Sequence, residues 1–159
     1  MIRTITPPES YKATKVFLAG GITGCPDWQA EITEYFTKRL DKASTEVVLL
    51  NPRRPDFPIN DPNASYDQIR WEHKALREAD IILFWFPCET MCPIVLYELG
   101  AWSMTDKPLV IGCHPEYSRK RDVEIQTGLV RLGEITIVDN LKLLAEKAMY
   151  EVRVLNREN

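Results

Sequence analysis

The sequence has few of the residues from which most metal sites are built. Its four cysteines form no C-x-x-C pair, and its only two histidines, His73 and His114, lie far apart. Zinc sites draw on closely spaced cysteines and histidines, so we expect reduced cysteines and no metal site. Cys88 and Cys92 share one loop without a histidine nearby in the sequence. A redox role for these two thiols is a minor alternative.

Long apolar runs and nucleotide-cofactor motifs are also missing. No stretch approaches the roughly 18 apolar residues of a membrane-spanning helix. Residues 1–8 contain no apolar run of signal-peptide length, so we expect a cytoplasmic protein without membrane partners. The net charge of −3 gives no general attraction to a nucleic-acid polymer. Neither G-x-G-x-x-G nor a Walker loop occurs, so NAD and ATP are not supported and no cofactor is expected.

The chain instead has an alternation of strand-like and helical patterns over one domain, residues 1–159. Strands are predicted at residues 15–19, 46–50, 81–86, 108–113 and 135–138, and helices at 27–42, 66–79, 93–105, 118–131 and 140–155. Such alternation predicts an α/β protein of three layers. We expect a doubly wound, five-stranded parallel sheet of the flavodoxin or Rossmann-like type, with helices on both faces.

Ligands of open parallel sheets bind beyond the carboxyl ends of the strands, which here means residues 20–28, 51–58, 87–98 and 112–119. Glycines in the first of these segments let backbone N–H groups approach a ligand. Arginines after the second strand suit a carboxylate or phosphate, although solvated surface charge or a subunit contact is the alternative. The predicted substrate-binding residues are Gly20, Gly21, Ile22, Thr23, Gly24, Trp28, Asn51, Arg53 and Cys92.

Two glutamates are candidates for chemistry. Glu98 is the one carboxylate of the apolar stretch 93–102, which follows the most hydrophobic strand. An acid there costs stability unless it is solvated or paired, and its place past a strand end suits a nucleophile or acid–base group. Glu72 neighbours Trp71 in a helix and could lie on the inner face. Most helical glutamates face solvent, which is the alternative for Glu72.

Three segments resemble one known family. They are Val16–Ile22 at the first strand, Ala79–Leu83 at the third and Tyr97–Gly100 on the following helix. In this order and spacing, the chain resembles the nucleoside 2-deoxyribosyltransferase superfamily, including its deoxynucleotide N-glycosidase relatives, over roughly residues 15–115. The resemblance implies that Glu98 attacks the anomeric carbon of a nucleoside or nucleotide and that Glu72 helps the base to leave. It also implies that the Gly20–Gly24 loop closes over the substrate and that the protein is a homo-oligomer.

One position departs from the family pattern. Well-studied transferases carry an aspartate six residues before the glutamate, where this chain has Cys92. A neutral thiol repels a 5′-phosphate less than a carboxylate does, and Arg53 or Arg54 could supply positive charge. We therefore hypothesise a nucleotide substrate rather than a free nucleoside. We also expect a nearby hydrogen bond to hold the charge of Glu98.

Two further functions stay open at this stage. The first is a non-catalytic, nucleotide-binding regulatory module, which the loss of the aspartate favours. The second is a glycohydrolase that acts on ribonucleotides or NAD-like molecules.

Overall fold

A computed structural model describes residues 13–40, 46–58 and 60–158. The N-terminal segment on which the signal-peptide expectation rests lies outside these residues. Nine elements follow in the order β1 Thr14–Gly20, α1 Trp28–Arg39, β2 Val47–Leu50, α2 Ala64–Glu78, β3 Ile81–Phe86, α3 Pro93–Ser103, β4 Leu109–Cys113, α4 Lys120–Val130 and α5 Leu141–Glu158. Within the described ranges, no helix combines the length and apolar character needed to cross a membrane.

The strands form one parallel sheet in the order β2-β1-β3-β4. β1 and β3 pair at its centre, from Val16 opposite Ile81 to Gly20 opposite Trp85. Every residue of β3 is buried, which explains its continuous apolar sequence, because central parallel strands are covered on both faces. All carboxyl ends therefore meet at one edge of the sheet.

Helices cover both faces of this sheet, as the alternating pattern predicts. Val16 and Leu18 of β1 belong to a core that also contains residues of α1 and α5. Phe17 and Ala19 point the other way, into a core shared with α2, α3 and α4. Successive side chains of a strand alternate between faces, so β1 supplies both cores.

The predicted fifth strand at residues 135–138 is wrong for the described part of the chain, whose sheet has four strands. Val138 alone pairs with β4, as an isolated parallel bridge to Gly112. The segment follows a turn with positive φ angles at Leu132 and Gly133. Just beyond it, the Asn140 side chain accepts a hydrogen bond at 2.9 Å from a backbone N–H of the first turn of α5.

The other elements agree with the predictions to within a few residues. The first helix begins after Asp27, whose side chain accepts a hydrogen bond from the Ala30 N–H at 3.0 Å and caps the helix as predicted. The last two residues predicted for this helix, 41–42, lie outside the described residues.

Candidate active site

A cavity of about 380 Å³ opens at the carboxyl edge of the sheet, above β1 and β3. Its walls come from the end of β1, the turn that follows, α2, the loop before α3 and α3 itself. The lining residues are Phe17, Ala19, Gly20, Gly21, Ile22, Thr23, Pro52, Glu72, Thr90, Cys92, Pro93, Ile94, Val95 and Glu98. None of these lining residues is a lysine, arginine or histidine. Glu72 and Glu98 are the carboxylates among them, and no positively charged side chain of the lining balances them.

Glu98 lies in the second turn of α3, half-buried in the cavity wall. Pro93 occupies the first turn of that helix, where the missing N–H costs nothing. Burial, and secondarily the neighbouring Glu72 carboxylate, raises the pKa of Glu98 to about 7. The described residues include no group that donates a hydrogen bond to Glu98, so the donor that we expected is not found among them.

Glu72 faces the same cavity from α2, although its sequence neighbours Trp71 and His73 are exposed. The Gln68 side-chain amide donates to Glu72 Oε1 at 2.8 Å and to the Pro52 carbonyl at 3.0 Å. Burial raises the pKa of Glu72, and the hydrogen bond from Gln68 partly opposes that rise. The two carboxyl groups thus share one cavity, but only Glu72 has a donor. Sequence analysis missed Gln68, which lies one helical turn before Glu72 on the same face.

The glycine turn forms one wall of the cavity, with Gly20, Gly21, Ile22 and Thr23 in the lining. A Cβ atom on Gly21 would lie 2.7 Å from the Cys25 sulfur and 2.9 Å from the Cys92 sulfur, so only glycine fits there. Gly24 does not belong to the lining. Its φ of 72° explains its identity instead, because few other residues adopt that conformation.

Trp28 does not reach the cavity lining. It is 1% exposed and lies in the core between α1 and the sheet. Its indole N–H donates to the Gly21 carbonyl at 2.9 Å, which fixes the turn from below. Trp28 therefore positions the predicted binding loop rather than contacting a ligand there.

Arg53 and Asn51 also lie outside the lining. The Arg53 guanidinium donates to Gln29 Oε1 and to the Pro26 carbonyl, both at 3.0 Å, and lies 3.4 Å from Asp27 Oδ1. It fastens the loop after β1 to the end of β2. Asn51 accepts a hydrogen bond from the Arg53 N–H at 3.0 Å and lines a separate, smaller cavity beside the first.

Cys92 lies in the cavity wall immediately before α3. Its backbone is left-handed, with φ 50° and ψ 55°, and its side chain makes no capping hydrogen bond to the helix. Thr90 Oγ1 lies 3.1 Å from Cys92 Sγ, in a hydrogen bond that either group can donate. Burial raises the pKa of the Cys92 thiol, so this wall is neutral. Sequence analysis missed Thr90, although it lies in a predicted strand-end segment.

Cys88 lies close to a histidine in the folded protein, although no histidine is near it in the sequence. Cys88, His114 and Glu116 bring their sulfur, ring nitrogen and carboxylate oxygen within 4.8 Å of one another. Cys88 follows β3 and His114 follows β4, which are neighbouring strands. The large sequence separation therefore concealed a short distance in space.

The parallel sheet and the helices on both of its faces define an α/β protein, whose cavity at the strand ends contains two carboxyl groups. The model of the family described as "Nucleoside 2-deoxyribosyltransferase like" matches residues 13–117. The chain belongs to this family, as the resemblance predicted. None of the curated proteins compared with the chain matches it.

Proposed function

We propose that this protein breaks the N-glycosidic bond of a nucleoside or deoxynucleoside, or of the corresponding 5′-monophosphate, with Glu98 as nucleophile. The observation that carries the proposal is a pair of carboxyl groups, Glu98 and Glu72, in one mostly apolar cavity of a family member. Membership of the family alone already makes this a protein of the nucleoside deoxyribosyltransferase type.

In the proposed mechanism, a carboxylate oxygen of Glu98 attacks the anomeric carbon as the bond to the base breaks. The base leaves with a proton that Glu72 donates or helps to place. The resulting sugar ester on Glu98 is resolved by water, which gives a hydrolase, or by a second base, which gives a transferase. The acid that protonates the base then recovers its proton from the incoming water or base.

In the described part of the free protein, the hydrogen-bond donor lies beside Glu72 and not beside Glu98, the carboxyl group that this mechanism needs in its charged form. The hydrogen bond from Gln68 favours the charged form of Glu72, whereas the described residues offer Glu98 no donor. Burial and the charge of Glu72 raise the pKa of Glu98 to about 7. Glu98 attacks only as a carboxylate, so we propose that a sugar hydroxyl, or a group from a second copy, donates to it in the complex.

The choice between nucleoside and nucleotide depends on positive charge near the cavity. Arg53 is bonded to the loop after β1, and no cation belongs to the lining among the described residues. Arg54 is more available: its side chain is 44% exposed, and its ion pair with Asp56 is 3.9 Å long. It lines the smaller cavity, which shares Pro52 with the first. If the substrate is a nucleotide, we propose Arg54 as the phosphate partner.

We also propose that the protein is a homo-oligomer. α3 exposes Ile94 and Tyr97 by 64% and 79%, and Met104 just beyond its end is 75% exposed; Ile94 also lines the cavity. Apolar side chains at this helical spacing suit a second copy rather than water. Sedimentation analysis should show a homo-oligomer that Tyr97→Asp dissociates. The matched control is Tyr150→Asp, on α5, where the tyrosine is 63% exposed.

The test of function is incubation with deoxynucleosides, ribonucleosides, their monophosphates and NAD, followed by chromatography for free base. Glu98→Ala should abolish base release, Glu98→Gln should still bind the ligand, and the exposed Glu134→Gln should behave as wild type. Mass spectrometry should detect a sugar adduct on Glu98. Binding without base release would favour the regulatory module, and release only from ribonucleotides or NAD would favour the glycohydrolase. Turnover by Glu98→Ala at the wild-type rate would end the nucleophile assignment.

A further inference from the structure

Outside the cavity, three side chains of the metal-binding kinds converge on one point. The sulfur of Cys88, a ring nitrogen of His114 and a carboxylate oxygen of Glu116 all lie within 4.8 Å of one another. Cys88 and His114 are half-buried and Glu116 is exposed. The place where the three side chains meet is therefore partly shielded by protein, yet an ion can reach it from solution. None of the three lines the cavity of Glu98.

The backbone holds the three residues in place. The His114 N–H donates to the Phe86 carbonyl at 2.9 Å and thereby extends the pairing of β3 with β4 toward Cys88. The Tyr117 N–H donates to the His114 carbonyl at 2.9 Å and closes the turn that contains Glu116. His114 Nδ1 accepts only a long hydrogen bond of 3.2 Å, from the Glu116 N–H. A metal ion at Nδ1 would therefore displace one weak interaction.

The donor set suits zinc. A thiolate, an imidazole and a carboxylate are all zinc ligands, at about 2.3, 2.0 and 2.1 Å, whereas Ca²⁺ and Mg²⁺ prefer oxygen alone. Ligand atoms of a tetrahedral site with these bond lengths lie about 3.3–3.8 Å apart. The three ligand atoms now lie up to 4.8 Å apart. Side-chain movements of about 1 Å would bring them to these distances, and rotation about side-chain bonds near the surface permits such movements.

We propose that Cys88, His114 and Glu116 bind one Zn²⁺ ion, with water in the fourth position. On binding, the Cys88 thiol releases its proton to solvent and its sulfur bonds to the metal. The ion would tie the loop of residues 87–92 to the turn after β4. Tyr117 already makes one such tie, since its hydroxyl donates to the Met91 carbonyl at 2.8 Å. Because this loop also carries Thr90 and Cys92 of the cavity, the proposed ion stiffens one cavity wall without entering the cavity.

The experiment uses the full chain, stripped of metal and titrated with Zn²⁺ against a chromogenic chelator. We expect one equivalent to bind. Co²⁺ in its place should give a sulfur-to-cobalt charge-transfer band that Cys88→Ser abolishes. The matched control is Cys25→Ser, which removes another half-buried thiol and should keep the band. His114→Ala and Glu116→Gln should each weaken Zn²⁺ binding by at least about tenfold.

The proposal does not depend on the proposed catalytic function, because its readouts are stoichiometry and a spectrum. Circular dichroism identifies any variant that fails to fold, and the exposed Glu116→Gln gives a second test if Cys88→Ser does so. No charge-transfer band in the wild type would overturn the proposal. A band that survives Cys88→Ser, or Zn²⁺ affinity unchanged in both His114→Ala and Glu116→Gln, would overturn it as well.

Discussion

Replacing Glu98 by glutamine should stabilise the protein at alkaline pH while it abolishes base release. Burial and the charge of Glu72 raise the pKa of Glu98 from 4.5 to about 7 in the folded state. Between these values the folded chain binds more protons than the unfolded chain. The free energy of unfolding therefore falls as the pH rises through this window. Glu98→Gln removes the ionisation and should remove this part of the fall.

The size of the expected change in stability follows from the rise in the pKa of Glu98. The difference between about 7 and 4.5 is about 2.5 pKa units, which corresponds to about 3 kcal/mol at 1.36 kcal/mol per unit. This value is an upper limit, because Glu98 is only half-buried. For a domain of this size, about 1 kcal/mol moves the melting temperature by about 2–4 °C. The stabilisation by Glu98→Gln should thus be up to about 3 kcal/mol larger above pH 7 than below pH 4.5.

The assay is urea unfolding of wild type and variant at about pH 4 and about pH 8.5, chosen to lie on either side of the window. The control is Glu134→Gln, which removes an exposed carboxylate outside the cavity and should change stability equally at both pH values. A stability difference between Glu98→Gln and wild type that is the same, within about 0.5 kcal/mol, at both pH values would contradict the raised pKa of Glu98.

Three further predictions concern turnover. If Glu98 is the nucleophile, the rate at low substrate should rise with pH through about 7, because only its ionised form attacks, and Glu72→Gln should move this rise to lower pH. A rise that does not move would contradict the coupling. Gly21→Ala places a methyl group 2.7 Å from a cysteine sulfur and should lower kcat/KM at least about tenfold. Gly128→Ala, where a Cβ meets nothing within 4 Å, should leave it unchanged. Arg53→Met should lower kcat/KM equally for nucleosides and monophosphates, since Arg53 holds the loop after β1 in place. A loss of kcat/KM for monophosphates alone would instead indicate that Arg53 binds the phosphate.

The sequence predicts the sheet centre well and leads to Glu98 as a cavity residue, because each has a strong local signal. β3 is apolar throughout, since parallel strands at the centre of a sheet are buried on both faces. Glu98 stands out against the apolar helix that follows. Glu72 is harder to place, because a single carboxylate on a polar helix gives no sign of the direction in which it points. Its role depends on the packing of α2 over the end of β1.

Other features depend on contacts that local sequence does not encode. Arginine after a strand suggests an oxyanion site, but Arg53 instead satisfies Gln29 and the Pro26 carbonyl. Residues 135–138 (Ile-Thr-Ile-Val) resemble a strand, yet within the described residues Val138 alone pairs with β4, in one isolated bridge. The sequence could have predicted that Cys88 and His114 lie at the same edge of the sheet, because both follow the carboxyl ends of strands. The missing information was that those two strands are neighbours.

The left-handed backbone at Cys92 has a consequence for how this site can change. A φ of 50° is strained for cysteine, whereas aspartate and asparagine adopt that region more readily. Cys92→Asp, which introduces the residue that the family resemblance leads us to expect here, therefore needs no new path for the main chain. The substitution relieves backbone strain and adds a third carboxylate to the cavity wall, beside Glu72 and Glu98. The charge of this cavity wall can then change by side-chain replacement alone, while α3 and Glu98 stay where they are.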